Sequence, residues 1–578
     1  MLRLIKTILI GTLLLITSCN DSFLERPALD RITSDSYWKT ANDLNLYVTQ
    51  FYTAFPSWSP GAWNGGIYWT DRNSDNLVGN NPDTRLMGNN TIQSGNNRWD
   101  YGDIRAVNVF FSNYEKVSAT PEQISQYVGE AYFFRAFFYF RLLKDYGGVP
   151  FITSPLESQS DELYSQRTPR NELVAHILTD LDEAIDKLPT GPVSDGNRLS
   201  REVAQLFKAR VALFEGTWEK YHANTEFGIS GSDGSSFLTI AAETSENLID
   251  NPGNYGVYSS GNPNADYWVL FNQTEYTGHP EVMLWRDYDV NLGIAHNGQR
   301  YLPRIGGGLG LTKKLVETYL CADGQPISAS GLYLGDESLL TIASNRDPRL
   351  SQTMFLPGHP MEQSGNEVTK IFEQAPLGQA GSAGCTTGYM IYKGANPDPI
   401  QYYTGGVGTT SSPVFRFAEA LLIFAEAKAE LGAVTQDDLD KSINLLRSRV
   451  NMPPLKIESI VNDPNWDFPN LSPLLNEIRR ERQIEFALEG YRFDDIMRWA
   501  AADEVIIGER FRGVLFQQEE FPDLVVGADV LLDDAGYVDP HQGQLPNGHQ
   551  FDLTRDYLLP VPQQELTLNP NLTQNPGW

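Results

Sequence analysis

The chain has 578 residues, and its 73 acidic against 44 basic side chains give a formal charge of -29 and a pI near 4.6. That balance argues against nucleic acid as a partner, because no basic patch is present to neutralise phosphates, and the acidity mostly reports solubility. The length allows more than one unit, and one large helical domain fits it equally well.

Residues 1–18 read as a secretory signal. Arg3 and Lys6 precede the apolar run Ile8 to Ile16, which is too short to span a bilayer, and small residues follow in Thr17-Ser18-Cys19. That ending resembles a bacterial lipobox, in which the cysteine becomes the acylated first residue of the mature protein. At about 0.8 kcal/mol per buried methylene, the acyl chains so implied on Cys19 anchor the protein to a membrane. Residues 20–25 then form a tether, and 19–578 a single domain. Cys321 and Cys385 remain, without CxxC spacing, and the sequence leaves a disulfide and two buried thiols equally open.

Helical signals begin near Ser34 and run through Leu44, Tyr47, Val48 and Phe51. Residues 56–97 then lose all period and become rich in Gly, Asn, Asp and Trp. Trp58, Trp63, Tyr68 and Trp69 lie here, beside Asp71, Arg72, Asp75 and Arg85. Long ordered loops tend to carry function. Ring faces mixed with bidentate polar groups suit sugars, whose faces are apolar and whose edges are hydroxylated. The first candidate ligand surface is therefore this loop; packing of the rings on the body is the alternative.

Helices resume with residues 99–117. The next, in Glu130 to Pro150 (EAYFFRAFFYFRLLKDYGGVP), is apolar on every side from Tyr132 to Tyr139 except at Arg135, so it must be buried. Thr120-Pro121-Glu122-Gln123 supplies its cap, and Gly147-Gly148 with Pro150 stops it. Arg135 and Arg141 on this surface need acidic partners from neighbouring helices. Further helices follow over 168–188, 200–214 and 236–249, with Ala204, Ala209 and Ala212 allowing close approach. Such antiparallel pairs resemble tetratricopeptide units with a degenerate repeat. The fold expected is mainly α, a superhelix of helix pairs over 34–250.

Residues 252–413 read as a large irregular, loop-rich insertion with minor β strands and one helix, Thr312 to Leu320. Trp268, Tyr276, Trp285, Tyr288, Arg300 and Tyr301 make it the second candidate ligand surface, with core packing the alternative for any single ring. Gly306 to Gly310 fits neither phosphate-binding fingerprint. Residues 414–578 form C-terminal helices and a tail: Arg416 to Leu431, Leu439 to Val450, and Leu474 to Leu488, closed by Gly490. On the last, Leu471, Leu474 and Ile478 define a stripe that Glu481, Arg482, Glu485 and Glu489 continue. Either this half of the helix is solvated, or the charges form a buried network with Arg492 or Arg498, joined by Arg135 or Arg141; the network is the preferred reading, since buried charges persist only when paired.

Glu477 to Trp499, EIRRERQIEFALEGYRFDDIMRW, resembles the C-terminal hallmark of the SusD-like (RagB/SusD) outer-membrane lipoproteins of Gram-negative bacteria. Cys19 to Pro27, Glu130 to Pro150, Arg416 to Leu431 and Tyr557 to Trp578 agree in the same order. The resemblance implies four tetratricopeptide-like helix pairs, an irregular face that binds glycans, and docking as a lid on a SusC-like TonB-dependent barrel at the cell surface. It transfers regions and no single ligand residue, because the loops vary with the glycan. The expected function is non-catalytic capture of an oligosaccharide for uptake, with no cofactor and no metal. The alternatives are a lid that binds peptide or another nutrient, and a glycoside hydrolase using a carboxylate pair, for which the chain offers no H-E-x-x-H or G-x-S-x-G support.

Overall fold

The computed structural model describes residues 37–58, 66–95, 98–193 and 197–578; the expected signal, Cys19 and Trp63 lie outside them, as does the side chain of Tyr68. The helical body is written in caps. In α1 (Ala41–Thr49), Thr40 and Asp43 form a reciprocal capping box. The segment 99–117 yields α2 (Gly102–Phe111) and then a 3-10 turn at Tyr114–Lys116, because Asn113 turns its amide back onto the Val109 carbonyl at 2.7 Å. The aromatic helix α3 (Pro121–Tyr146) starts on the Thr120–Gln123 box and ends at Gly147, whose φ of 74° suits glycine.

Then come α4 (Arg170–Lys187), α5 (Arg201–Tyr221) and α6 (Ser235–Asp250). Each helix from α3 to α6 packs on the next, giving the tetratricopeptide-like superhelix. Helix α5 runs seven residues past Phe214 because Thr217 returns its hydroxyl to Leu213 O, at 2.7 Å, and Gly216 admits α6 at close range. Ala204, Ala209 and Ala212 are fully buried at these contacts.

Where the sequence suggested one helix, the insertion carries short ones at Asp266–Val269, α7 (Gly298–Ile305), α8 (Lys313–Thr318, capped by Thr312), Leu339–Ala343 and α9 (Pro348–Thr353). Short strands β1 (Leu77–Gly79), β2 (Val282–Arg286), β3 (Leu309–Leu311), β4 (Pro360–Ser364), β5 (Glu367–Ile371) and β6 (Ser412–Arg416) pair antiparallel as β1 with β3, β2 with β6 and β4 with β5. The first pairing, Val78 opposite Gly310, stitches the early loop to the insertion. After β6, α10 (Ala418–Glu430) returns onto α5 and α6. The expected helix at 439–450 is split into Gln436–Asp440, with its own Thr435–Asp438 capping box, and α11 (Ile443–Arg449). Helices α12 (Pro473–Glu485) and α13 (Arg492–Arg498) complete the body. Cys321 and Cys385 are separate buried thiols, and burial pushes that of Cys385 up to about 11.

The charged half of α12 is buried; Arg482 shares Asp495 and Glu426 with the expected Arg498, while the carboxylates take partners other than those the sequence suggested. Glu485 accepts from Arg416 and Arg449 at 2.7 Å and from Arg349 at 3.0 Å; Glu481 pairs with Arg349 and Arg447, and Glu489 with Arg416 and Lys393. Arg492 goes instead to Asp75, and Arg498 to Glu426 and Asp495. Arg135 and Arg141 stay apart from this network, meeting Asp180 at 2.6 Å and Asp103 at 3.1 Å. The reason is geometric: α12 turns its carboxylates toward α9, β6 and α11, not toward α3.

Nor is α3 sealed on every side. Phe137, Phe140, Arg141 and Lys144, at i, i+3, i+4 and i+7, share one stripe that lines a cleft, and Phe137, Arg141 and Lys144 are only half-buried.

Candidate ligand-binding face

Trp58 is not a platform. It is 2% exposed, its indole stacks on His296 with centroids 5.3 Å apart, and its backbone N–H donates to the Tyr288 hydroxyl at 2.7 Å. A Cβ on Gly298 would collide with the Trp58 ring, so glycine is required where α7 begins. Burial pushes His296 down to about 4; the neutral ring donates from Nε2 to Thr410 O and accepts at Nδ1 from Gly298 N–H. Trp58 is thus a peg that fastens the segment ending at residue 58 to the 288–298 loop.

Asp71 and Asp75 are likewise structural, both fully buried. Asp71 accepts from the Leu488 N–H at 2.7 Å and from Asn76 at 3.2 Å, while Asp75 makes a two-point pair with Arg492. A side chain closed off in this way cannot meet a ligand, which corrects the sequence reading for Trp58, Asp71 and Asp75. Arg85 is 7% exposed, sends Nε to the Asp556 carbonyl and lies over Phe493 at 4.9 Å.

Trp268 is half-buried against Tyr392, stacked at 5.0 Å, with its indole N–H on Tyr392 O. Trp285 is half-buried edge-on to Tyr276, its indole N–H bound to Asp287 at 2.6 Å. Trp69 is half-buried with the exposed Arg72 guanidinium 4.7 Å over its ring. On α7, Arg300 is exposed and Tyr301 half-buried.

One pair was missed by sequence reasoning. Tyr402 and Tyr403 lie with ring centroids 5.9 Å apart and 32° between planes; Tyr403 is 75% exposed. Arg304 of α7 sits 3.2 Å over the Tyr402 ring and pairs with Glu362. The 399–408 loop is held beside α7 by two mutual His296–Gly408 backbone hydrogen bonds at 3.0 Å and by Gly406 N–H on Asn297 at 2.7 Å. The signal was present as two adjacent aromatics before Thr404-Gly405-Gly406. The loops of both candidate surfaces therefore meet where Trp58 packs on the 288–298 loop, with Tyr288 hydrogen-bonded at the junction and α7, which carries Arg300 and Tyr301, beside the 399–408 loop. Beside Ala54, Pro56, Ile67 and Thr70 lies the cleft on α3, about 400 Å³, lined also by Arg210, Phe207 and Tyr491. Among the described residues no helix is long and apolar enough to cross a membrane.

A family model described as the SusD family matches residues 243–578, and one described as starch-binding associating with outer membrane matches 32–213. The chain is 25% identical to SusD-like protein P2 of Formosa agariphila over 99% of both chains. Among solved structures, it superposes on a SusD-like carbohydrate binding protein of Bacteroides fragilis with a TM-score of 0.71 at 22% identity, covering 93% of this chain and 100% of that one. Another SusD-like protein of the same species gives 0.70 at 24% identity, covering 96% and 100%. These likenesses concern the fold.

Proposed function

Since the chain belongs to the SusD family, we propose that it is a non-catalytic carbohydrate-binding protein of the outer-membrane surface, which takes up an oligosaccharide on its loop face. The observation that carries this reading is the exposed Tyr403 ring on a pinned loop beside Arg300 and Tyr301. A preformed surface with an open ring and a few fixed polar groups meets a sugar without ordering cost. Trp69 with Arg72 supplies a second ring, on the early loop, and the other candidates, Trp268 and Trp285, stand as half-buried supports. In the finer reading the protein is held by lipid on Cys19 and passes its glycan to a SusC-like TonB-dependent barrel.

Calorimetric titration against a panel of oligosaccharides tests the binding role. Tyr403→Ala and Trp69→Ala are each expected to weaken a glycan that the parent binds by tenfold or more, with the melting temperature kept. Binding untouched by both changes would move the site elsewhere, and release of reducing sugar by the purified protein would replace the reading with a hydrolase. For the anchor, Cys19→Ser is expected to move the protein out of the membrane fraction.

A further inference from the structure

On the helical body, between α2 and the C-terminal tail, lies a trough of about 640 Å³, and none of its lining residues comes from either candidate ligand surface. Trp99, Ile104 and Ile152 are buried along its floor. Around them Leu163, Tyr164 and Leu568 are left in water, at 42%, 54% and 61% exposure. Single exposed apolar side chains are ordinary; three on the rim of one apolar trough mark a surface that something else covers.

The trough is built in advance of any partner. Tyr101 donates its hydroxyl to Pro150 O at 2.9 Å and Asn108 its amide to Ile152 O at 3.0 Å, which fixes residues 150–152 against α2. Opposite, Asn571 donates to Tyr164 O at 2.8 Å and Asn569 to Ser165 O at 2.9 Å, so the 3-10 turn Asp161–Tyr164 and the short helix Gln563–Leu568 are held together as one wall. A chain laid here meets surfaces that need no ordering.

Charge says which chain. Glu157, Glu162 and Glu565 also line the trough, and none of the three carboxylates has a cation or a hydrogen-bond donor among the described residues. Glu565 is half-buried, and desolvation raises its carboxyl. The exposed Arg105 is the only cation among the lining residues. Aliphatic rims ask for aliphatic side chains, and uncompensated carboxylates ask for arginine or lysine beside them. Stacked-helix bodies offer such faces to other proteins. We propose that this trough docks a segment of a partner protein in which leucine-like and basic residues are interspersed, with its apolar side chains between Leu163 and Leu568 and its cations on Glu157, Glu162 and Glu565. The site is independent of the carbohydrate-binding reading.

Calorimetric titration of the whole chain tests this with three end-blocked nonapeptides: one of interspersed leucine and arginine, one with glutamate for arginine, and one with serine for leucine. The first is expected to bind tenfold or more tightly than either of the others. Because a chain of formal charge -29 attracts any cation, the deciding variant is Leu568→Asp. It adds negative charge, so general attraction would tighten binding, whereas docking in the trough requires a loss of tenfold or more; the side chain is mostly exposed, so the melting temperature is expected to stay unchanged. Glu162→Gln combined with Glu565→Gln is expected to weaken the basic peptide threefold or more, and Leu46→Asp, on the exposed side of α1, to leave it unaltered. No binding by the basic peptide, binding kept or tightened by Leu568→Asp, equal binding of the glutamate peptide, or binding that demands free peptide ends would each overturn the proposal. So would displacement of the peptide by an oligosaccharide, or self-association of the chain that Leu568→Asp abolishes, which would give the trough to a second copy.

Discussion

Glu485 shows what a single residue can be asked to hold. It is fully buried, and although burial works against its charge, Arg449, Arg416 and Arg349 keep its carboxyl below the ordinary range. Removing one partner of a buried pair leaves charge uncompensated, so Glu485→Ala is expected to cost about 3–5 kcal/mol in denaturant unfolding. An unchanged midpoint would mean that Asp347, Glu281 and Glu489 already suffice for the three arginines. Asp71 pulls the other way: burial pushes it up to about 6. The folded chain thus binds a proton that the unfolded chain has released, so this contribution falls away as pH rises from about 4 through 6, by about 3 kcal/mol in all. Glu481 and Glu485, held low, contribute above the ordinary glutamate value and lose that contribution as pH falls. Asp71→Asn is expected to raise the melting temperature at pH 7.5 and leave it nearly unchanged at pH 4; equal effects at both pH values would show that Asp71 does not titrate in this window. The carboxylates of α12 were legible in the sequence as a charged continuation of an apolar stripe. Their partners were not, because Arg349 lies 136 residues from Glu485 and nothing local encodes that meeting.

Elements were most readable where local chemistry decides them. Thr120-Pro121 with Gln123, Ser200, and Ser472-Pro473 start helices where their caps predict. Ends that depend on tertiary contact, such as the extension of α5 to Tyr221, were not readable. That extension brings Gly216 against the start of α6, where an added Cβ would stand 2.8 Å from both the backbone N and the Cγ of Leu238; Gly234, at φ 73°, faces it. Gly216→Ala is therefore expected to destabilise the chain by about 1–3 kcal/mol despite its better helix propensity, because overpacking outweighs propensity here. A neutral or stabilising result in thermal unfolding would mean that α6 can shift outward freely. The same distinction explains the aromatic loops. A tryptophan-rich segment signals burial or binding alike, and only the long-range neighbours His296 and Gly298 decide that Trp58 is a peg, whereas Tyr403 is left open by a loop that the helical period does not mark.

At the scale of the molecule, the insertion is bound into the helical body by charge. Glu281, Arg349 and Lys393 belong to residues 252–413, and each pairs with Arg416, Arg449, Glu485 or Glu489 of the C-terminal part. The β1–β3 pairing and the Trp58 peg tie the early loop to the same insertion. Excising the insertion would leave buried carboxylates and arginines unmatched, so we propose that 37–578 unfolds as one cooperative unit. A glycan on the loop face, at a hundredfold its Kd, adds about 2.7 kcal/mol to whatever unfolds with that face. If the unit is single, the gain must appear in the body as well. Backbone amides of the 288–298 and 399–408 loops report the loop face, and those of α5, where Trp218 is fully buried, report the body. The expected outcome is one cooperative unfolding transition, raised equally by ligand whether followed by hydrogen exchange of the loop amides or of the α5 amides. A ligand-dependent loop transition separated from a ligand-independent one in the body would divide the chain at the insertion, and would make the buried arginine network a local clamp.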